Sequence, residues 1–194
     1  MAPRRPLILA SASQRRADLL QEAGIRFRIL IPQVDEYTQG SHPHFSPRNL
    51  AIQNSKLKAE AISKKFPNHI VVGADTIVVL GKRIFGKPKD MKDAEKMLGQ
   101  LNGRTHRVIT GVCLCYEGRL KTFSVMTKVT FKKLRSQEIK KYLKLIHPLD
   151  KAGAYAAQSH TDRIIQKVEG SFSNVVGLPM ERLQVELQRI HNFF

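Results

Sequence analysis

The feature that most constrains this chain is a repeated alternation of short apolar runs with polar segments that carry helix-start residues. Leu7 to Ala10, Phe27 to Ile31, Ile70 to Val72 and Ile77 to Leu80 are apolar runs of strand length. Between them, Ser11-Ala-Ser-Gln-Arg-Arg-Ala-Asp-Leu-Leu reads as a turn into a helix, with Ser11 or Ser13 as its cap. Ser46-Pro47 opens a long helix that runs to about Lys65 and stops before Pro67. Asp90 caps another helix through about Leu98, Ser136 starts one that ends before Pro148, and Pro179 opens a last one to about His191.

Two hairpins break the simple α/β alternation. Gly81-Lys82 turns residues 77–85, and Glu117-Gly118 joins Arg107 to Tyr116 with Lys121 to Phe131. Arg163 to Val168 is a further strand, and residues 150–160, rich in Gly and Ala, form a shaped loop. Strands interleaved with helices, antiparallel hairpins included, predict an α/β protein with a mixed sheet rather than a bundle or a sandwich. No repeat, heptad run or linker divides the 194 residues, so the expectation is a single domain over 1–194. At 42% hydrophobic and 25% charged, the composition suits a packed core.

There is no run of eighteen apolar residues for a membrane-spanning helix. Met1 to Ala10 is too short an apolar stretch for the core of a signal peptide. Cys113 and Cys115 stand two apart in a strand, and two thiols without further partners predict neither a zinc site nor a disulfide framework. A reducing, cytoplasmic setting follows as the expectation. His42 and His44 flank Pro43, and the other histidines are isolated, so no His-based ligand pattern exists.

The charge balance is unusual. Lys and Arg number 33 against 16 Asp and Glu, a formal +17, whose first reading is a polyanionic partner. The basic residues are spread along the chain, at 4–5, 15–16, 26–28, 56–65, 82–92 and 132–141, and no aromatic-studded strand or zinc-finger spacing accompanies them.

Local motifs give sharper chemistry. The Ser11-Ala-Ser13-Gln-Arg15-Arg16 turn leaves backbone N–H groups free at a helix start, and Arg15 or Arg16 adds a bidentate phosphate partner. It lacks the Walker frame. Gly73-Ala-Asp75-Thr76 places a carboxylate at the end of an apolar strand, where it can hold Mg²⁺ or orient a water, with the Thr76 hydroxyl beside it. The alternative is a turn aspartate that merely ends the strand. Lys87, in Phe85-Gly-Lys-Pro88, is a mobile positive charge for phosphates, though Lys82 and Lys89 are equally placed at the surface. Asp35 and Glu36 add carboxylates that matter if they converge with Asp75. In the 150–160 loop Tyr155 reads as packing and Gln158 as a base contact or plain surface. Cations, an anion-binding turn and a few carboxylates together fit a nucleoside triphosphate with a divalent ion.

The ordered set of motifs resembles the Maf family, nucleoside triphosphate pyrophosphatases once described as septum-formation inhibitors. It comprises Leu9 to Arg16, Gly73 to Thr76, Gly86-Lys-Pro88, Leu101-x-Gly103-x-x-His106-x-Val108-x-Thr110, Asp150-Lys-Ala-Gly-Ala-Tyr155 and Gly170 to Pro179. The resemblance implies a strongly twisted mixed sheet flanked by helices, with two lobes and a cleft between them, as in the inosine triphosphate pyrophosphatases. It implies hydrolysis of a nucleoside triphosphate to monophosphate and pyrophosphate with Mg²⁺ or Mn²⁺, by a homodimer that requires neither membrane nor nucleic acid. The likeness is to the branch acting on dTTP and UTP; some members also take modified pyrimidine nucleotides. Carried over by position, Asp75 is the catalytic aspartate, and Glu36, with Asp75, lies near the metal. Ser13, Arg15, Arg16, Lys56, Thr76, Lys87 and Gln158 meet the substrate.

Two departures from the family pattern bear on these assignments. The helix reads Lys56-Leu57-Lys58-Ala59, and the functional lysine is aligned with Lys56, with Lys58 as runner-up. The usual Tyr-Gly-Ile-Gln-Gly is Tyr155-Ala156-Ala157-Gln158-Ser159, which removes two glycines beside the base pocket. The competing readings are a nucleic-acid or polyphosphate binder on the same fold, and a division or housekeeping regulator with a vestigial pocket.

Overall fold

Central strands buried on both faces explain the architecture of the computed structural model, which describes residues 6–40 and 45–191. Arg4, Arg5, His42 and His44 lie outside the described residues. The strands are β1 (Leu7–Ala10), β2 (Phe27–Leu30), β3 (Ile70–Leu80), β4 (Arg83–Phe85), β5 (Thr105–Tyr116), β6 (Arg119–Phe131) and β7 (Ile165–Glu169). They form one sheet in the order β2-β1-β3-β5-β6-β7, with β4 folded back on β3. β1 runs parallel to both β2 and β3, while every pairing from β3 to β7 is antiparallel. The mixed sheet expected from the sequence is therefore present.

The helices are α1 (Gln14–Glu22), α2 (Pro47–Ser63), α3 (Met91–Leu101), α4 (Ser136–Leu145), α5 (Thr161–Ile164), α6 (Phe172–Val176) and α7 (Met180–His191). Period-two alternation divides them between the faces of the sheet. Ile8, Ala10, Val71, Cys113 and Cys115 turn one way, onto Ala59 and Ile62 of α2. Leu7, Leu9, Ile70, Val72 and Leu114 turn the other way, onto Leu20 of α1 and Leu183, Leu187 and Ile190 of α7. Further along, Val78, Val108, Val129 and Phe131 pack with Leu98 and Leu101 of α3 and Ile139, Tyr142 and Leu143 of α4. Both cysteines are free and buried, and no described helix is long and apolar enough to cross a membrane.

Two glycines let α2 lie directly on the sheet. A side chain at Gly73 would run into the Ser55 carbonyl and come within 2.7 Å of the Ala59 nitrogen. One at Gly111 would meet the Ala51 carbonyl. Backbone contact at this range needs glycine on the strand, and it sets the depth at which α2 side chains reach β3.

Several local features depart from the sequence reading. β3 does not break at Gly73-Ala-Asp-Thr, so Asp75 stands inside an eleven-residue strand and not at its end. The strand tolerates it because β1 stops at the Ala10–Gly73 pair and β4 starts at the Val78–Phe85 pair. Among the described residues, this leaves the β3 edge from Ala74 to Ile77 open on that side. Arg163 and Ile164 belong to α5, so the last strand begins two residues late. Ser171 caps a short helix, α6, by accepting from the Asn174 N–H, within a segment the sequence reading left without an element. Two 3-10 turns, at Pro148–Asp150 and Ala152–Ala154, lead into and shape the 150–160 loop, and Gly153 holds φ 73° within the second.

Candidate active site

The open edge of β3 forms the floor of a cleft of about 880 Å³. That volume suits a nucleotide-sized ligand. The site lies just past the carboxyl end of parallel strand β1, where the chain turns through Ser11 into α1, a common position for ligand binding in sheets of this kind.

One bank carries a charge cluster in which Lys58 and Asp75 are buried and Glu36 is exposed. Lys58 projects from α2 and donates from Nζ to Glu36 Oε2 and to Asp75 Oδ1, both at 2.8 Å. Asn54, one turn earlier on α2, completes the arrangement. Its Nδ2 donates to Asp75 Oδ2 at 3.2 Å and to the Tyr37 carbonyl at 3.0 Å, and its Oδ1 accepts the Tyr37 N–H at 2.8 Å. A single amide thus orients Asp75 and clamps the irregular segment that carries Glu36. Burial pushes the Asp75 carboxyl upward. The Lys58 charge and hydrogen bond, Arg16 and the Asn54 N–H outweigh it and hold the group below its ordinary value. Asp75 is therefore a carboxylate at neutral pH.

The other bank is more open. Arg15 Nη1 donates to Asp150 Oδ2 at 2.8 Å and its Nη2 to the Asp150 carbonyl at 3.3 Å. Lys151 donates to Asp150 Oδ1 and to the His147 carbonyl, both at 2.6 Å. Lys87 lies on the same rim, on a loop tied down where the Gly153 N–H donates to the Gly86 carbonyl at 3.0 Å. Ser13 is the N-cap residue of α1, yet its side chain makes no capping bond. Ser13, Gln14 and Arg15 line the cleft at this helix start, a position that favours a phosphate.

Arg16 differs from its neighbour. It is buried, and it donates from Nε to the Gly177 carbonyl (2.8 Å), from Nη1 to Ser11 Oγ (3.1 Å) and from Nη2 to Thr76 Oγ1 (3.1 Å). Thr76 Oγ1 also lies 3.0 Å from Thr110 Oγ1 and donates to the Gly177 carbonyl at 3.3 Å. Both residues border the cleft, and their polar atoms tie α1, β3, β5 and the loop after α6 together. Behind the rim, Tyr155 lines the cleft, and its hydroxyl lies 3.1 Å from His106 Nε2. Burial lowers His106 to about 4, so the ring is neutral at pH 7.

The structure thus brings together Ser13, Arg15, Arg16, Glu36, Asp75, Thr76 and Lys87. It does not bring in Lys56, whose Nζ pairs with Glu60 at 3.8 Å, and the α2 lysine that lines the cleft is Lys58. The correction has a sequence signal. Leu50, Ala51, Asn54, Ser55, Lys58, Ala59 and Ile62 are the buried positions of α2, a helical stripe that includes Lys58 and omits Lys56. The same stripe would have found Asn54. Gln158 is exposed and outside the cleft lining, where Tyr155 and Ala157 stand instead. Ala156, one of the residues replacing a glycine, is buried and exchanges hydrogen bonds with the Tyr142 hydroxyl through both its N–H and its carbonyl. Asp35 is exposed and likewise absent from the lining.

An anion-binding helix start facing paired carboxylates across one cleft defines a phosphate-processing class of site, and comparison with known proteins gives the family. The chain belongs to the Maf family: the profile described as "Maf-like protein" matches residues 6–190. It is 44% identical over 186 residues to a dTTP/UTP pyrophosphatase of Geotalea uraniireducens, covering 95% of this chain and 94% of the relative. It is 42% identical over 175 residues to a dTTP/UTP pyrophosphatase of Akkermansia muciniphila, covering 90% and 91%. Among solved structures, the Staphylococcus aureus Ham1 protein aligns with TM-score 0.51 and 17% identity over 95% of this chain and 98% of that one, a likeness of fold.

Proposed function

We propose that this protein hydrolyses dTTP and UTP to the nucleoside monophosphate and pyrophosphate. The observation that carries the reading is the cleft itself. It sets the buried Lys58–Asp75 pair, with Glu36 on the same ammonium, opposite Arg15, Lys87 and the start of α1, in a chain more than 40% identical to relatives bearing that name.

The residues divide the work by charge. Arg15, Lys87, Ser13 and the α1 N–H groups bind and orient the triphosphate and neutralise charge on the departing pyrophosphate. Lys58 adds charge from the opposite bank. Asp75, held ionised by its neighbours, positions the attacking water and accepts its proton. Arg16 and Thr76 chiefly fix the walls, since three N–H groups of the buried guanidinium and the Thr76 hydroxyl hold Gly177, Ser11 and one another. Tyr155, Ala157 and Val108 supply apolar surface for the base and help exclude water.

A divalent ion, Mg²⁺ or Mn²⁺, belongs to this reading. No group of three His, Cys, Asp or Glu side chains that could hold a metal occurs among the described residues. Two carboxylates sharing one cation are nevertheless a donor set that fits, since Mg²⁺ is commonly held by one or two carboxylates together with substrate phosphates. Glu36 and Asp75 would hold it, and its contribution is Lewis-acid polarisation of the phosphoryl oxygens. Residues 1–194 act as one domain in this reading, as a homodimer in the cytoplasm, where two free buried thiols persist.

The test is a panel of canonical and modified nucleoside triphosphates, with monophosphate and pyrophosphate both quantified. Release of the two products in equal amounts from dTTP and UTP, well above that from purine nucleotides, is the expected result. Release of inorganic phosphate alone, or no turnover with any pyrimidine nucleotide, contradicts it.

A further inference from the structure

We infer that the Lys58 ammonium occupies the position a divalent cation takes between Glu36 and Asp75, so that lysine and metal are alternative occupants of one site. The inference rests on the pyrophosphatase reading for the identity of the ion, and on geometry for the exchange.

Both carboxylate oxygens lie 2.8 Å from the same Nζ. A Mg²⁺ ion takes oxygens at about 2.0–2.1 Å, so bridging the two groups requires each to close by less than about 1 Å. The ion would then stand where the nitrogen now stands. An ammonium and a dication cannot share that point, and neither offers the other a lone pair.

The surroundings suit an exchange. Asp75 does not depend on Lys58 for its orientation, because the Asn54 N–H holds Oδ2 while Lys58 uses Oδ1. Asn54 is itself fixed by two hydrogen bonds to the Tyr37 backbone, next to Glu36, so the segment bearing the second carboxylate stays in place when Lys58 leaves. Lys58 stands on a four-carbon stem with three rotatable donors, and the cleft it borders is the one that receives the triphosphate. Metal entry then has a second consequence: it turns the ammonium from the carboxylates to the phosphates. The cation that offsets part of the charge on the two carboxylates becomes a substrate contact once the metal takes its place, so metal and nucleotide bind cooperatively through Lys58.

Binding of Mn²⁺ alone, followed by electron paramagnetic resonance without nucleotide, tests the exchange independently of turnover. Lys58→Met should bind Mn²⁺ at least tenfold more tightly than the native protein, and its melting temperature should rise more on adding Mn²⁺. Lys58→Gln, which keeps hydrogen-bond donors without the charge, should also bind more tightly, and it guards against a folding defect in the methionine variant. In the native protein dTTP should tighten Mn²⁺ binding, and in Lys58→Met that enhancement should shrink. Equal or weaker Mn²⁺ binding by both variants overturns the exchange, whereas absence of pyrophosphate release by the native enzyme would instead overturn the functional reading.

Discussion

Two ion pairs of equal length face each other across the cleft, and they are different objects. Lys58–Asp75 and Arg15–Asp150 both measure 2.8 Å. The first has side chains 10% and 11% exposed, with Asn54 and Glu36 closing the remaining positions. In the second, Asp150 is 59% exposed and shared with Lys151. Distance does not tell them apart; burial does. A buried pair cannot lose one member without stranding the other, which costs about 3–5 kcal/mol. An exposed pair is screened by solvent and contributes about 0–1 kcal/mol. The buried pair can therefore open only where another cation takes the place of Lys58. The exposed pair needs no such replacement, since solvent screens both of its members.

The largest expected effect separates two lysines on one helix. Lys58→Ala should lower the rate of pyrophosphate release about 100-fold or more, as when one preorganised charge is removed from a polar active site. Lys56→Ala should leave the rate within about twofold, because Lys56 lies outside the cleft lining and pairs with Glu60 one turn away at 3.8 Å. Steady-state kinetics on the two variants side by side would break the comparison if Lys56 proved the sensitive position.

A second pair of neighbours, Arg16 and Arg15, should divide stability from binding. Arg16→Ala removes three hydrogen bonds from a buried guanidinium and should cost about 3 kcal/mol in urea unfolding. Arg15→Ala should leave unfolding nearly unchanged and raise KM for dTTP about tenfold, the scale of one lost charged contact.

His106 calibrates burial where no ion pair is involved. Its folded value of about 4 lies below the ordinary 6.5, so the fold holds it neutral while the unfolded chain protonates it first. The stability this provides is present in full above pH 6.5 and is lost as pH falls toward 4, by up to about 3 kcal/mol. Urea unfolding at pH 7 and pH 4.5 should show a smaller acid loss in His106→Gln than in the native protein. The smallest effect belongs to the exposed pair. Asp150→Asn should change stability by less than about 1 kcal/mol while lowering KM for dTTP up to a few-fold, because Arg15 no longer has a competing carboxylate. A large loss of stability in that variant would erase the distinction between the two pairs.

What the sequence disclosed follows the same division. Strand-length apolar runs, the Ser-Pro helix start and the Gly81 and Glu117-Gly118 turns are local signals, and the sheet they imply is present. The motif turn at Ser13 to Arg16 was legible because the helix start and the arginines adjoin in the chain. The split between Arg15 and Arg16 was not, since Gly177 and Thr76, which bury Arg16, are distant in sequence. Asp75 was read at a strand end because a charged residue inside an apolar run resembles a boundary. Only the gap between β1 and β4 explains how it stands within β3. Lys58 was within reach of helical periodicity, whereas motif alignment favoured Lys56. Gln158 was placed by analogy, and in this loop the backbone of Ala156 is bound to Tyr142 while Gln158 faces outward.

The central claim is that the buried bank of the cleft, through Asp75, performs the hydrolysis. Asp75→Asn keeps the shape and most hydrogen-bonding positions of the side chain while removing the carboxylate. Pyrophosphate release from dTTP with Mg²⁺, measured on the folded variant beside the native enzyme, should fall about 10²- to 10⁴-fold, the range of positioned general-base catalysis. Turnover by Asp75→Asn within a few-fold of native would contradict the account.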